Sequence, residues 1–142
     1  MGKISDLIKG IATGGEKRFS SAVVLASGSG KRFGDDTAKQ FVLLDGIPVF
    51  IRSLMAFEKS KETDEIVLVT READIVGCRN LASEYGITKV TRVVAGGDTR
   101  QDSARLGFEA VNPECDFVAI HDAARCLVTP EMIDKTFTEA YI

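Results

Sequence analysis

The residue types best suited to chemistry cluster in a glycine-rich basic segment, Gly28-Ser-Gly-Lys-Arg-Phe-Gly34. Its glycines let backbone N–H groups approach an anion without interference from a Cβ atom. Lys31 and Arg32 add positive charge, and Lys39 supplies a further cation shortly afterwards. Arginine in particular suits bidentate contact with phosphate. The segment predicts a loop that binds nucleotide phosphates, while a structural turn with solvated charges stays open as an alternative.

Two widespread nucleotide-binding motifs do not match this loop. The dinucleotide motif GxGxxG would need a third glycine where the chain has Phe33. The Walker A motif would need Ser or Thr directly after its lysine, whereas Arg32 follows Lys31. A nicotinamide-dependent enzyme and a P-loop ATPase are therefore disfavoured.

A second candidate segment is Gly96-Gly-Asp-Thr-Arg100, followed by Asp102 and Ser103. Paired glycines permit close approach of a ligand, and the polar side chains offer donors and acceptors to a base or a ribose. A plain turn between a strand and a helix, with capping side chains, fits the same residues.

The third candidate segment is His121-Asp-Ala-Ala-Arg125. The Asp122 carboxylate could bind a ribose hydroxyl or a metal ion held by phosphates, which is how Mg²⁺ is usually kept. An Asp122–Arg125 ion pair without another role stays open. His121 is the only histidine, and we interpret it as structural because a general base would need a partner.

Short apolar runs that alternate with helical patterns should position these three segments. The expected strands cover 22–26, 65–70, 90–95 and 116–121, and the expected helices cover 4–11, 48–59, 73–85, 101–111 and a last one that Thr129 caps. Such alternation predicts an α/β fold with a doubly wound, mainly parallel sheet. Ligands bind beyond the carboxyl ends of the strands in such sheets, where all three segments are expected to lie.

Composition excludes several other classes of function. The 142-residue chain has a net charge of −3, which argues against a nucleic-acid partner. Cys78, Cys115 and Cys126 are dispersed, as free thiols in a reducing compartment would be. No stretch approaches the length of a membrane span and no signal peptide is evident, so we expect a cytoplasmic protein without a membrane partner.

Taken together and in this order, the three segments, with Lys39-Gln40 after the first, resemble the 2-C-methyl-D-erythritol 4-phosphate cytidylyltransferase family of the non-mevalonate isoprenoid pathway. The resemblance implies a Rossmann-like nucleotidyltransferase that joins CTP to a phosphorylated polyol with Mg²⁺ and releases pyrophosphate. It starts at residue 21, so we expect an N-terminal helical extension over 1–20 and the N-terminal part of the nucleotidyltransferase domain over 21–142. Family members are longer homodimers, so we expect a truncated chain whose exposed sheet edge associates in solution.

The resemblance also assigns roles to single residues. Arg32 and Lys39 would stabilise charge as catalytic residues, and Asp122, Ala123 and Arg125 would contact the second substrate. Asp122 is the one candidate metal ligand. The residues that would bind the nucleotide are Ala26, Ser27, Gly28, Ser29, Gly30, Gly97, Asp98, Ser103 and Asp122.

Two positions depart from the family pattern and two other functions stay open. Ser27 replaces the usual alanine before the glycines, and Cys126 stands at a usual proline. Ribitol-5-phosphate cytidylyltransferase is a close relative, but it tends to have Ser-Val where this chain has Ala123-Ala124. A nucleotide-binding fragment without activity is the other alternative.

Overall fold

A computed structural model describes residues 18–28 and 38–142 of the chain. Its strands are β1 Ser20–Ala26, β2 Leu43–Leu44, β3 Ile47–Pro48, β4 Glu65–Thr70, β5 Val90–Ala95 and β6 Phe117–Asp122. Its helices are α1 Val49–Lys59, α2 Ile75–Glu84, α3 Arg100–Glu109 and α4 Pro130–Ala140, with 3₁₀ turns at Lys39–Phe41 and Glu72–Asp74.

Four parallel strands form the main sheet in the order β5-β4-β1-β6. The chain runs from β1 outward through β4 to β5, and then returns across β1 to add β6 on its other side. This reversal creates a switch point at the carboxyl end of β1, where open α/β sheets bind their ligands. The predicted parallel α/β architecture is confirmed.

Strand β1 is buried on both faces, which explains its continuous apolar sequence. Val23 and Leu25 lie on the face that α3 covers. Ala22, Val24 and Ala26 lie on the opposite face, among the buried side chains of α1, α2 and α4. Helices therefore pack on both faces of the sheet, as the doubly wound prediction requires.

The expected ends of two helices are confirmed. Thr129 Oγ1 accepts a hydrogen bond from Met132 N over 3.1 Å at the start of α4, and Pro130 occupies the first helical position. Gly86 follows α2 with a φ of 73°, the left-handed conformation that favours glycine at a helix end.

The hairpin β2–β3 was absent from the sequence prediction. Asp45 and Gly46 join its strands with φ values of 55° and 80°, as in the two-residue turns that suit hairpins. A smaller correction concerns β6, which extends through Asp122. The strand therefore ends at Asp122, one residue beyond the expected end at His121.

A buried carboxylate ties the strands together at the amino end of the sheet. Glu65 Oε1 accepts hydrogen bonds from Ser21 Oγ over 2.7 Å and from Asn112 N over 2.6 Å. Its Oε2 accepts from Thr91 Oγ1 over 2.8 Å. Three segments of the chain are thereby joined to β4 at the end of the sheet opposite the candidate loops.

The predicted N-terminal extension over 1–20 lies almost wholly outside the described residues, which begin at Arg18, and the helix expected over 4–11 is outside them. The division into that extension and a domain over 21–142 stays a prediction. Among the helices of residues 18–28 and 38–142, none is long and apolar enough to cross a membrane.

Candidate nucleotide-binding site

The segments that follow β1 and β5 meet at the first turn of α3. Ser27 Oγ, just beyond β1, lies 2.9 Å from Ser103 Oγ. The same Ser103 hydroxyl accepts a hydrogen bond from Gly97 N over 3.1 Å. Ser27 is therefore a neighbour of Gly97 and Ser103, although it lies far from both in sequence. Gly97 and Asp98 are exposed.

The paired glycines are explained by close packing against the protein itself. A Cβ on Gly96 would lie 2.5 Å from Ser103 Oγ and 2.9 Å from Ser27 Oγ. A Cβ on Gly97 would lie 2.5 Å from Asp102 Cβ. The start of α3 thus packs against both glycines, as expected for a turn between a strand and a helix, and the contact of Gly97 with a nucleotide stays a prediction.

Asp122 lies between two arginines at the end of β6. Its Oδ1 is 3.0 Å from Arg100 Nε, and its Oδ2 is 3.5 Å from Arg125 Nε. The Arg100 and Arg125 side chains are 63% and 80% exposed, so solvent screens both pairs and they add little stability. One carboxylate thus orients two guanidinium groups and leaves an excess of positive charge. The sequence pointed to the pair with Arg125, but not to Arg100 as its second partner.

Ala123 is fully buried and forms the turn that follows Asp122. Its N–H donates to Leu25 O over 2.8 Å, and its carbonyl accepts from Ser53 Oγ over 2.7 Å. Both of its backbone polar groups are therefore used inside the protein. The charged groups of this turn are Asp122, which is partly exposed, and Arg125, which is exposed.

Lys39 is exposed at the start of its 3₁₀ turn, and the next residue, Gln40, is buried. The Gln40 side chain donates to Ala26 O over 2.7 Å and to Gly28 O over 2.9 Å. The turn that carries Lys39 is therefore tied directly to the glycine-rich loop. Sequence reasoning singled out Lys39 for its charge and quoted Gln40 beside it without giving it a role.

Three predicted site residues, Ser29, Gly30 and Arg32, lie outside the described residues. The remaining ones lie at the carboxyl end of the sheet, where the strand order reverses. Their assigned roles stay predictions, but their proximity gives the site a definite position in the fold.

His121 stabilises the turn after β6 from the face of the sheet that carries α1. Its ring lies edge-on to Phe57 with centroids 5.3 Å apart, and its Nε2–H donates to Arg125 O over 2.9 Å. Burial lowers the pKa of His121 below its ordinary 6.5, outweighing the hydrogen bond to Arg125 and the charge of Asp122. These contacts agree with the interpretation of this histidine as structural.

The lowered pKa of His121 predicts a loss of stability in mild acid. The unfolded chain takes up a proton near the ordinary value of 6.5, whereas the folded chain takes it up only at lower pH. The free energy of unfolding should therefore decrease as pH falls through and below that value. Urea titrations between pH 7.5 and 5.5 should show a steeper decrease for wild type than for His121→Gln. Equal decreases would contradict this account.

The described residues do not form a metal site by themselves, since they contain no group of three or more His, Cys, Asp or Glu side chains that could hold an ion. Asp122 is the candidate ligand, but both of its carboxylate oxygens face arginine nitrogens. Asp122 in this arrangement does not fit the role of a Mg²⁺ ligand.

Comparison with known proteins identifies the family. Residues 20–141 match the family described as IspD, 2-C-methyl-D-erythritol 4-phosphate cytidylyltransferase. The chain belongs to this family.

The cytidylyltransferase of that name from Clostridium botulinum is 41% identical over 116 residues, which is 82% of this chain and 51% of the relative. The structure of 4-diphosphocytidyl-2C-methyl-D-erythritol synthase from Anaerococcus prevotii is similar, with a TM-score of 0.74 and 28% identity over 87% of this chain and 51% of that one. The chain therefore spans about half the length of the cytidylyltransferases that it matches.

A more distant likeness concerns the fold alone. The manganese complex of Rv0371c from Mycobacterium tuberculosis has a TM-score of 0.62 and is 18% identical, over 86% of this chain and 59% of that one. The two proteins therefore share the arrangement of the sheet and its helices.

Proposed function

We propose that this chain carries the CTP-binding part of an enzyme that joins CTP and 2-C-methyl-D-erythritol 4-phosphate to give the CDP-alcohol and pyrophosphate. The observation that carries the proposal is the convergence of Ser27, Gly97 and Ser103 beside the Arg100–Asp122–Arg125 cluster at the switch point. Family membership supports cytidine as the base and methylerythritol phosphate as the acceptor.

The charges of the two substrates explain why the site needs cations. The acceptor phosphate attacks the α-phosphorus of CTP in line, and both reactants are anions. Arg32 and Lys39 offset their repulsion and the charge that grows on the phosphoryl oxygens, while Asp122 and Arg125 contact the ribose and the acceptor. The glycine-rich loop supplies backbone N–H groups to the triphosphate.

We propose that Mg²⁺ binds through the phosphates of the nucleotide, and not through the side chains that the structure describes. Mg²⁺ is usually bound by one or two carboxylates together with substrate phosphates, and Rv0371c, a protein of similar fold, has been solved as a manganese complex. A cytoplasmic location, which the free thiols of Cys78, Cys115 and Cys126 suit, and a homodimeric whole enzyme are also part of the proposal.

Isothermal titration of the 142-residue chain with CTP tests the proposal directly, with ATP and GTP as competitors for the same site. We expect saturable binding of CTP in the presence of Mg²⁺ and weaker binding of both purine nucleotides. A chimera that adds the part of the Clostridium botulinum enzyme beyond the match extends the test to pyrophosphate release. Faster release with methylerythritol phosphate than with ribitol 5-phosphate supports the named acceptor. Absence of CTP binding by both proteins would refute the proposal.

Gly96→Ala should weaken CTP binding, because the added Cβ cannot fit while Ser27 and Ser103 keep their positions. Loss of such a hydrogen-bonded contact raises Kd by about threefold to tenfold. Gly77→Ala is the matched control, since an added Cβ there meets nothing within 4 Å. Titration with CTP of both variants and wild type gives the result, and an unchanged Kd for Gly96→Ala would exclude the Ser27–Ser103 contact from the nucleotide site.

A further inference from the structure

Gln40 connects two parts of the site with a single nitrogen atom. Its Nε2 donates one hydrogen to Ala26 O at the end of β1 and the other to Gly28 O in the glycine-rich loop. The residue is only 4% exposed. Both hydrogens of its amide nitrogen are therefore donated to backbone carbonyls, one at the end of β1 and one at the start of the loop, in a place that water scarcely reaches.

These two hydrogen bonds fix the directions in which the backbone polar groups at the start of the loop point. In a trans peptide the carbonyl and the following N–H point in opposite directions, so fixing Ala26 O towards Gln40 turns Ser27 N–H away from it. The Ser27 side chain is held separately by Ser103. The first residues of the loop are thus fixed by a backbone contact on one side and a side-chain contact on the other.

The position of Lys39 depends on the same side chain. Ala38 is 1% exposed and Gln40 is 4% exposed, so buried residues hold the backbone on both sides of the exposed lysine. The segment closes with Phe41 N donating to Ala38 O over 2.9 Å. Gln40 therefore joins the segment that carries Lys39 to the loop.

The chemistry of this contact requires an amide at position 40. A carboxylate of the same shape has no hydrogens to donate and would repel the carbonyl oxygens of Ala26 and Gly28. An apolar side chain of the same length would leave these oxygens without their partner. A lysine would bring an additional charge into a buried place.

We propose that Gln40 is a positioning residue that orients Ser27 and Gly28 for a nucleotide triphosphate and ties the segment that carries Lys39 to them. The inference rests on the proposed CTP site, and it assigns the backbone geometry at Ser27 and Gly28 to a side chain that does not itself contact the reacting atoms.

Two substitutions test this role, Gln40→Glu, which keeps the shape without donors, and Gln40→Met, which keeps the length without polarity. Glu65→Gln is the matched control, because Glu65 is also 4% exposed but fastens the opposite end of the sheet. Titration with CTP is made at a temperature where thermal unfolding shows all variants folded. We expect Kd to rise about tenfold or more for both Gln40 variants and to stay unchanged for Glu65→Gln.

A measurement without ligand separates this inference from the proposed function. The ¹⁵N and ¹H shifts of Ser27 and Gly28 should change in the Gln40 variants and not in Glu65→Gln. If the Gln40 variants bind CTP as wild type does, the inference is overturned. If wild type does not bind CTP, the proposed function fails, and the shifts alone decide whether Gln40 orients the loop: changed shifts support it and unchanged shifts overturn it. Should Gln40→Glu fail to fold, Gln40→Met gives the same comparison.

Discussion

Lys39→Ala is expected to lower kcat for cytidylyl transfer by about 10²–10³-fold, the usual effect of removing one group that stabilises charge in a transition state. The reaction brings two anions together, so a cation held at the phosphates has more effect in the transition state than in the separate reactants. Because Lys39 is exposed between the buried residues Ala38 and Gln40, the substitution removes its charge without opening the core.

The measurement is pyrophosphate release by the chimera described above, with kcat and KM determined separately. Lys61→Ala is the matched control, since Lys61 is exposed in the segment before β4, at the opposite end of the sheet. We expect Lys61→Ala to keep the wild-type kcat. Arg32→Ala should lower kcat to a similar extent as Lys39→Ala. Near wild-type turnover by Lys39→Ala would remove this lysine from the catalytic assignment.

Gly107→Ala is expected to reduce the free energy of unfolding by about 1–3 kcal/mol, the usual cost of forcing an extra methyl group into a packed core. The added Cβ would lie 2.4 Å from Val23 Cγ1 and 2.8 Å from Val69 Cγ2. Both valines are fully buried, and β-branched side chains have little rotamer freedom with which to move away. Helix α3 would have to shift away from the sheet.

Gly77→Ala provides the control for this second substitution, because it makes the same change in a helix with open space around it. Alanine favours a helix over glycine by about 1 kcal/mol, so this variant should be as stable as wild type or more stable. Gly107→Ala has the same gain in helix propensity, so the steric cost must be larger than this gain if the free energy of unfolding is to decrease. Urea unfolding of both variants measures the difference, and equal stability of the two would show that α3 can move without cost.

Much of the fold could be predicted because local sequence and burial agree. The strand over 65–70 has an apolar run at 66–69 and becomes a fully buried β4, and Gly86 and Thr129 mark helix ends as expected. The hairpin β2–β3 could not be predicted from periodicity, because each of its strands has only two residues. Its Asp45-Gly46 turn was nevertheless a readable signal.

The site could be predicted only where residue type alone suggested chemistry. Asp122 and Arg125 were recognisable as a carboxylate followed by a cation. Their relation to Arg100 depends on where α3 crosses the sheet, and this follows from strand order rather than from any local pattern. Gln40 was quoted beside Lys39 but received no role, because an uncharged amide next to a lysine indicates no function until its two backbone partners are known.

The central place of β1 has a consequence for the order in which the molecule is built. Ser27 and Ser103 are 76 residues apart in sequence, and Phe19 N reaches across 97 residues to the Asp116 side chain. Such non-local contacts slow folding, because long segments must be ordered before the contacts form. On a ribosome, β1 emerges first and pairs with β4 early, but its other edge stays open until β6 has been synthesised. The switch point is therefore completed only once β6 has been synthesised. A chain arrested before Phe117 would have the segment that follows β1 without the carboxylate of Asp122 and its two arginines.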